Sequence, residues 1–205
     1  MSKVLIVSKT KMGGTGICIG GLTIPDLVSV RLLKSDGSYH DVSTSFNVGQ
    51  LWEIEYSKAK TLTPPHIENV LINKSKLISA NNNITDIIDG KKLKSISYAG
   101  SPTKLFDGML GWTGSNKGYI SKIKGIPSHS TGFWVTDEDL VLEGKDYFYE
   151  GDNNNKYGFK YVGYEKAIEI IPAGTKVRVS LAKWWKPDDI DIELRCYLQL
   201  SGWYL

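Results

Sequence analysis

The stretch Arg195-Cys196-Tyr197-Leu198-Gln199-Leu200-Ser201-Gly202-Trp203-Tyr204 decides the fold class, because it reads with a period of two. Cys196, Leu198, Leu200, Gly202 and Tyr204 form one set, which reads as core. Arg195, Tyr197, Gln199, Ser201 and Trp203 form the other, which reads as an exposed amphipathic face. Successive side chains of a strand point to opposite sides, so this pattern is that of a strand lying on a hydrophobic core. The same kind of segment recurs back along the chain at Lys176 to Ala182, Tyr157 to Tyr164, Asp146 to Tyr149 and Phe133 to Thr136. It recurs again at Val70 to Ile78, Leu51 to Tyr56, Ser29 to Leu33, Gly16 to Gly20 and Val4 to Ser8. Each is short, rich in Val, Ile, Leu, Tyr and Trp, and bounded by turn residues.

The punctuation agrees. Asp36-Gly37 signals a hairpin from Arg31-Leu32-Leu33 into Tyr39 to Val42, since glycine accepts the positive φ that a tight turn needs. Turns are also read at Glu150-Gly151-Asp152-Asn153 and Pro172-Ala173-Gly174. Asn83 to Ile88 reads as a short capped helix ended by Gly90. About five strands in each half imply a mainly β chain of two small OB-like β-barrels in tandem, with a short helix and loops between them. A single large β-sandwich is the competing architecture. The expected division is an N-terminal barrel over residues 1–80, a linker with the helix over 81–105, and a C-terminal barrel over 106–205. No exact sequence repeat links the halves.

The 205 residues carry a net charge of only +3, but it is unevenly placed. From Lys91 to Gly125, lysines 91, 92, 94, 104, 117, 122 and 124 face the single acid Asp107. An acidic stretch follows, with Asp137, Glu138, Asp139, Glu143, Asp146, Glu150 and Asp152 against Lys145. Lys176, Arg178, Lys183 and Lys186 then form a second basic run. Such alternation builds one positive and one negative face if the fold collects each run, and a scattered solvated surface if it does not. No apolar run approaches the ~20 residues of a membrane helix, and no secretory leader is read at the start, so a soluble cytoplasmic protein is expected. Cys18 and Cys196 make no disulfide framework and sit in no C-x-x-C pair.

Catalytic signatures are sparse. His40, His66 and His129 lack metal-ligand spacing, and no nucleophile elbow is present, so neither an enzyme nor a metal or other cofactor is expected. Lys9-Thr10-Lys11-Met12-Gly13-Gly14-Thr15-Gly16 is not a Walker A loop; it reads either as a plain hairpin connection or as a phosphate-contacting loop flanking a barrel's binding face. In Pro64-Pro65-His66-Ile67-Glu68 an extended chain would turn His66 and Glu68 to one side, as a structural corner or a candidate ligand pocket. The C-terminal region is densest. Lys183-Trp184-Trp185-Lys186 and Arg195 to Tyr204 interleave aromatics with cations, the composition of a single-stranded nucleic-acid surface, although each tryptophan can equally pack a barrel.

These residues also resemble a known family. Val4 to Met12 with Cys18 to Gly21, Val30 to Leu33, Gly49 to Ile54, Pro64 to Glu68, Leu181 to Trp185 and Cys196 to Tyr204 together are similar to the dual-OB-containing domain family of bacteria. The resemblance implies two OB-like barrels, nucleic-acid recognition and an association with prokaryotic defence loci. The expected function is therefore non-catalytic binding of nucleic acid, with single-stranded DNA or RNA favoured. Lys9, Lys11, Arg31, Lys117, Lys183 and Arg195 are the expected phosphate contacts. Trp112, Trp184, Trp185, Tyr197 and Trp203 are the expected stacking groups. The alternative is a module that binds a partner protein of a defence complex, or a small nucleotide, through His66, Glu68 and the Gly13-Gly14 loop.

Overall fold

The computed structural model describes residues 1–88, 97–151, 155–189 and 191–205. Gly90, Lys91, Lys92, Lys94 and the Asp152-Asn153 turn pair lie outside the described residues. Two compact units are present, and neither is contiguous in sequence. The first comprises Met1–Thr63, Ile67–Ser95 and Val162–Glu165; the second comprises Pro64–His66, Ile96–Tyr161 and Lys166–Leu205.

In the first unit, β1 (Ser2–Lys11), β2 (Ile17–Ile24), β3 (Ser29–Leu33), β4 (Leu51–Lys58) and β5 (Asn69–Ser79) form a closed barrel in the order β1-β2-β3-β5-β4. All pairings are antiparallel except β3 with β5, where Arg31, Leu32 and Leu33 run parallel to Asn69, Val70 and Leu71. Closure depends on β1 bordering both β2 and β4, and a bulge between Ile6 and Ser8 lets this strand bend around the barrel. Val4, Ile6, Ile17, Ile19, Val30, Leu32, Trp52, Ile54 and Val70 turn inward with Phe46 to make the core. At Gly21 an added Cβ would lie 2.5 Å from a methyl of Val4, so only glycine allows β2 to approach β1 there.

The Asp36-Gly37 turn forms, with Gly37 at φ +84° and its N–H donating to the Lys34 carbonyl. The expected second strand at Tyr39 to Val42 does not pair back on β3. Both edges of β3 are occupied, by β2 and β5, and His40 instead bridges Ile17 of β2. The helix α1 (Ile84–Ile88) buries Ile84 and Ile88, and Asn83 caps it by accepting from the Thr85 N–H.

The second unit contains β6 (Ser97–Ala99), β7 (Gly111–Trp112), β8 (Gly118–Ser121), β9 (Thr131–Val135), β10 (Leu140–Glu143), β11 (Asp146–Glu150), β12 (Lys156–Tyr161), β13 (Ile170–Ile171), β14 (Lys176–Leu181) and β15 (Arg195–Tyr204). Its sheet runs β13-β10-β11-β12-β15-β14-β9-β6, with β8 added on β15 and β7 on β8. The order of the first barrel is repeated here. β10, β11 and β12 form a meander, β12 runs parallel to β15, and β14 links β15 to β9. Residues 136–139 join β9 to β10, so these two strands together do what β1 does alone. The ten strands expected from the sequence are β1 to β5, β9, β11, β12, β14 and β15. The two OB-like barrels follow from them.

One expectation in β15 is corrected. Cys196, Leu198 and Leu200 are buried as read, but Arg178 pairs with Gly202 while the next residue, Val179, pairs with Leu200, leaving Ser201 as a bulge. A bulge reverses the alternation beyond it. Trp203 therefore packs on the core, 5.2 Å from the Tyr161 ring and 6.1 Å from that of Tyr147. Tyr204 instead meets Phe133, in a buried group that also holds Arg178. Burial pushes the Tyr204 hydroxyl's pKa up, opposed by Arg178.

The first barrel has a titratable core group in His40, whose ring nitrogen lies 3.2 Å from the Leu32 carbonyl and whose ring meets Phe46 edge-on. Burial holds its pKa below the ordinary 6.5, aided by Lys34 and opposed by the Leu32 carbonyl and Asp41. The unfolded chain thus binds this proton more readily, so the contribution of His40 is fully present above about pH 6.5 and is lost as pH falls below it. Thermal melts at pH 7.5 and 5.5 are expected to show a drop in Tm that His40→Gln reduces. An undiminished drop in the variant would rule His40 out as its source.

Candidate nucleic-acid interface

The outer face of the second barrel collects aromatic and cationic side chains from four elements. Along β11 and β12, Tyr147, Tyr149 and Phe159 turn into the core, so Phe148, Lys156, Gly158 and Lys160 turn outward. Gly158 keeps a shallow bed for Phe148 and Lys117, since an added Cβ would lie 3.1 Å from the Phe148 ring and 3.4 Å from the Lys117 chain. Lys156 sits 4.6 Å from the Phe148 ring centre and Lys117 5.8 Å. Asp146 pairs with Lys117 and Glu143 with Lys156.

β8 continues the face. It pairs with β15 so that Tyr119 lies opposite Tyr197 and Ser121 opposite Arg195, and Lys117 bridges to Gly158 of β12. The Arg195 guanidinium lies 3.9 Å over the Tyr119 ring, and the Tyr119 and Tyr197 rings are 6.1 Å apart. Trp185 completes the row through its backbone bridge to Arg195, with its ring 6.0 Å from Tyr197. Tyr119, Tyr197 and Trp185 thus form an aromatic row with Arg195 stacked on it, and Lys117, two residues before Tyr119, extends the same face to Phe148 and Lys156.

Of the expected stacking groups, Trp185 is 55% exposed and Tyr197 is half-buried in this row. Trp112, Trp184 and Trp203 pack on the core instead: Trp112 meets Tyr157 edge-on at 4.5 Å, and the Trp184 indole N–H donates to the Pro64 carbonyl. Of the expected phosphate contacts, Lys117 and Arg195 lie in the row, and Lys11 and Lys183 are exposed. Lys9 is only 6% exposed; it donates to Asn47, lies 4.6 Å from the Tyr164 ring centre, and has its pKa lowered by burial against the pull of Glu165. The Arg31 side chain is 12% exposed, pairs with Glu68 at 2.7 Å and donates to Asn69. Both are held inside the first unit because a buried charge must keep a partner.

The two residues of the expected pocket fall in different units. Glu68 belongs to the first with Arg31, whereas His66 belongs to the second, its Nε2 3.0 Å from the Ala182 carbonyl and 3.7 Å from Cys196 Sγ. Burial pushes the Cys196 thiol up to about 12, so it is no thiolate nucleophile near neutral pH. Among the described residues no group of three or more His, Cys, Asp or Glu is placed to hold a metal ion. Among them also, no helix is long and apolar enough to cross a membrane. Tyr119, Phe148 and Lys156 were not anticipated. The run Asp146-Tyr147-Phe148-Tyr149-Glu150 carried a signal, because strict alternation with Tyr147 and Tyr149 inside leaves Phe148 outside.

A dual OB-containing domain model matches residues 2–203. The chain belongs to this family. No curated protein matches it. Among solved structures, the crystal structure of the p204 HINb domain aligns at 12% identity and a TM-score of 0.33, covering 97% of this chain and 95% of that one. In an OB barrel the second and third strands and the loops after strands one and four flank the binding face. In this dual-OB chain the loop after the fourth strand of the second barrel holds Lys183, Trp184 and Trp185, while in the first barrel the loop after strand one is the Gly13-Gly14 turn. The two loop motifs singled out in the sequence therefore follow strand one of the first barrel and strand four of the second.

The assignment of Arg31 to stability is testable. Breaking a buried ion pair costs roughly 3 kcal/mol or more, which for domains of this size is a fall in Tm on the order of 10 °C. Glu68→Gln is expected to produce such a fall, whereas Lys11→Ala leaves Tm within about 1 °C. Equal effects would contradict the distinction.

Proposed function

We propose that the chain is a non-catalytic binding module for single-stranded DNA or RNA, and that the outer face of the second barrel is where the strand lies. The observation that carries this reading is the aromatic row of Tyr119, Tyr197 and Trp185, extended through Lys117 to Phe148. Neighbouring strands are about 4.8 Å apart, so the row crosses about 14 Å from β11 to β15, plus the Tyr197–Trp185 step. That extent suits the smaller OB footprints, on the order of 4 nucleotides. Every base offers a flat π-face, so bases would lie on the rings without sequence preference, while Lys117, Lys156, Lys183 and Arg195 meet phosphates. Lys117, Lys156 and Arg195 would exchange Asp146, Glu143 and Glu193 for phosphate oxygens, which limits their net gain. In keeping with the family resemblance, we place this module in prokaryotic defence.

Fluorescence anisotropy with labelled single-stranded DNA and RNA tests the reading. Trp185→Ala and Tyr197→Ala are each expected to weaken binding by about 5- to 150-fold, the equivalent of ~1–3 kcal/mol per stacked base, with Tm retained. Lys11→Ala, in the first barrel, should change it by less than about twofold. Engaging about four cations predicts a roughly 50-fold loss between 50 and 200 mM salt. Absence of binding at 50 mM salt, or loss in Lys11→Ala but not in Trp185→Ala, would overturn the proposal.

A further inference from the structure

β8 ends at Ser121 and runs into the turn Lys122-Ile123-Lys124-Gly125. Ile123 is 83% exposed, the highest value for any large hydrophobic residue among those described. Single exposed aliphatics are ordinary on protein surfaces, and three features set this one apart. The turn is built to hold it: the Gly125 N–H donates to the Ser121 carbonyl at 3.2 Å, and Gly125 adopts φ +115°, which an L side chain rarely does. Exposed Lys122 and Lys124 flank it on either side, and Ile126 adds a second exposed aliphatic just beyond. Its position also matters. Ser121 lies opposite Arg195, which bridges Trp185, so the turn starts one residue past the Trp185 end of the aromatic row.

Resting on the proposed function, we infer that this turn is an apolar wedge, and that the partner is nucleic acid with a junction between single strand and duplex. An aliphatic side chain reads no base edge by hydrogen bonding. It can press on the flat face of a terminal base pair or enter a base step, as apolar wedges of architectural proteins do. Two lysines flanking the wedge suit the phosphates of two diverging strands. One of those strands then continues onto Trp185, Tyr197, Tyr119 and Phe148, while the duplex stays beyond Ile123. Neither feature alone selects a junction; the aromatic row takes the unpaired strand and the wedge takes the end of the paired one.

The test compares three labelled DNAs by anisotropy: a single strand, a blunt duplex, and a duplex bearing a single-stranded tail, the last also with 2-aminopurine at the terminal pair. The wild-type chain is expected to bind the tailed duplex at least fivefold more tightly than the single strand and to raise the 2-aminopurine fluorescence as the pair unstacks. Ile123→Ala should bring the two affinities within twofold and remove the fluorescence rise, with single-strand binding unchanged. Because Ile123 is exposed, the variant should keep the wild-type melting curve. Equal wild-type affinity for tailed duplex and single strand would overturn the wedge and leave the single-strand face standing. The same holds if Ile123→Ala weakens both ligands alike. Absence of binding to all three would overturn both proposals.

Discussion

The seam between β12 and β15 has the shortest ladder among the barrel strands of the second unit, and the candidate face depends on how it is filled. The two strands pair in parallel only at Lys160 with Gln199 and Tyr161 with Leu200. Backbone N–H and C=O groups left open on either side would be costly to bury without partners. β8 supplies them: Cys196 and its neighbours pair with Tyr119 to Ser121, and the Gly158 N–H donates to the Asn116 carbonyl. A hairpin recruited to satisfy the backbone thereby brings Tyr119 and Lys117 between Phe148 and Tyr197. Without it, the outward aromatics of β11 and β15 would be separate features rather than one row.

The same strand order gives the two barrels different surfaces. In the first, β3 and β5 pair over three residues, and the outward Arg31 at that seam is closed by Glu68 and Asn69. Charge there stabilises the barrel and is spent internally. In the second, Arg195 on β15, the counterpart of β5, stacks on Tyr119 and pairs with Glu193 at 3.8 Å. The proposed difference between the two barrels rests on these pairings rather than on composition, which is mixed in both.

Much of the fold was legible because each barrel strand is short and alternates, and ten such segments point to two five-stranded rings. The rest was not, for identifiable reasons. β10 and β13 are short strands without a run of alternation long enough to notice, and β8 is a four-residue strand inside a basic segment. Trp203 was read as outward because the phase of β15 is legible only up to Ser201, and a bulge is specified by its partner strand. Arg31 was read as a phosphate contact, because its ion pair with Glu68 requires the parallel β3–β5 pairing, which sequence spacing does not reveal. Trp185 and Tyr197 were legible as an aromatic cluster; Tyr119 required the sheet order, whereas the alternation around Tyr147 and Tyr149 already left Phe148 outward.

The most direct measurement is photocrosslinking of the chain to a single-stranded oligonucleotide carrying 5-iodouracil, with the attached residues identified by mass spectrometry. Crosslinks at Trp185, Tyr197, Tyr119 or Phe148 are the predicted result, since these rings would lie against the bases. Crosslinks confined to the first barrel, around Lys11 and the Gly13-Gly14 turn, would contradict the central claim that the strand lies on the face built around β8.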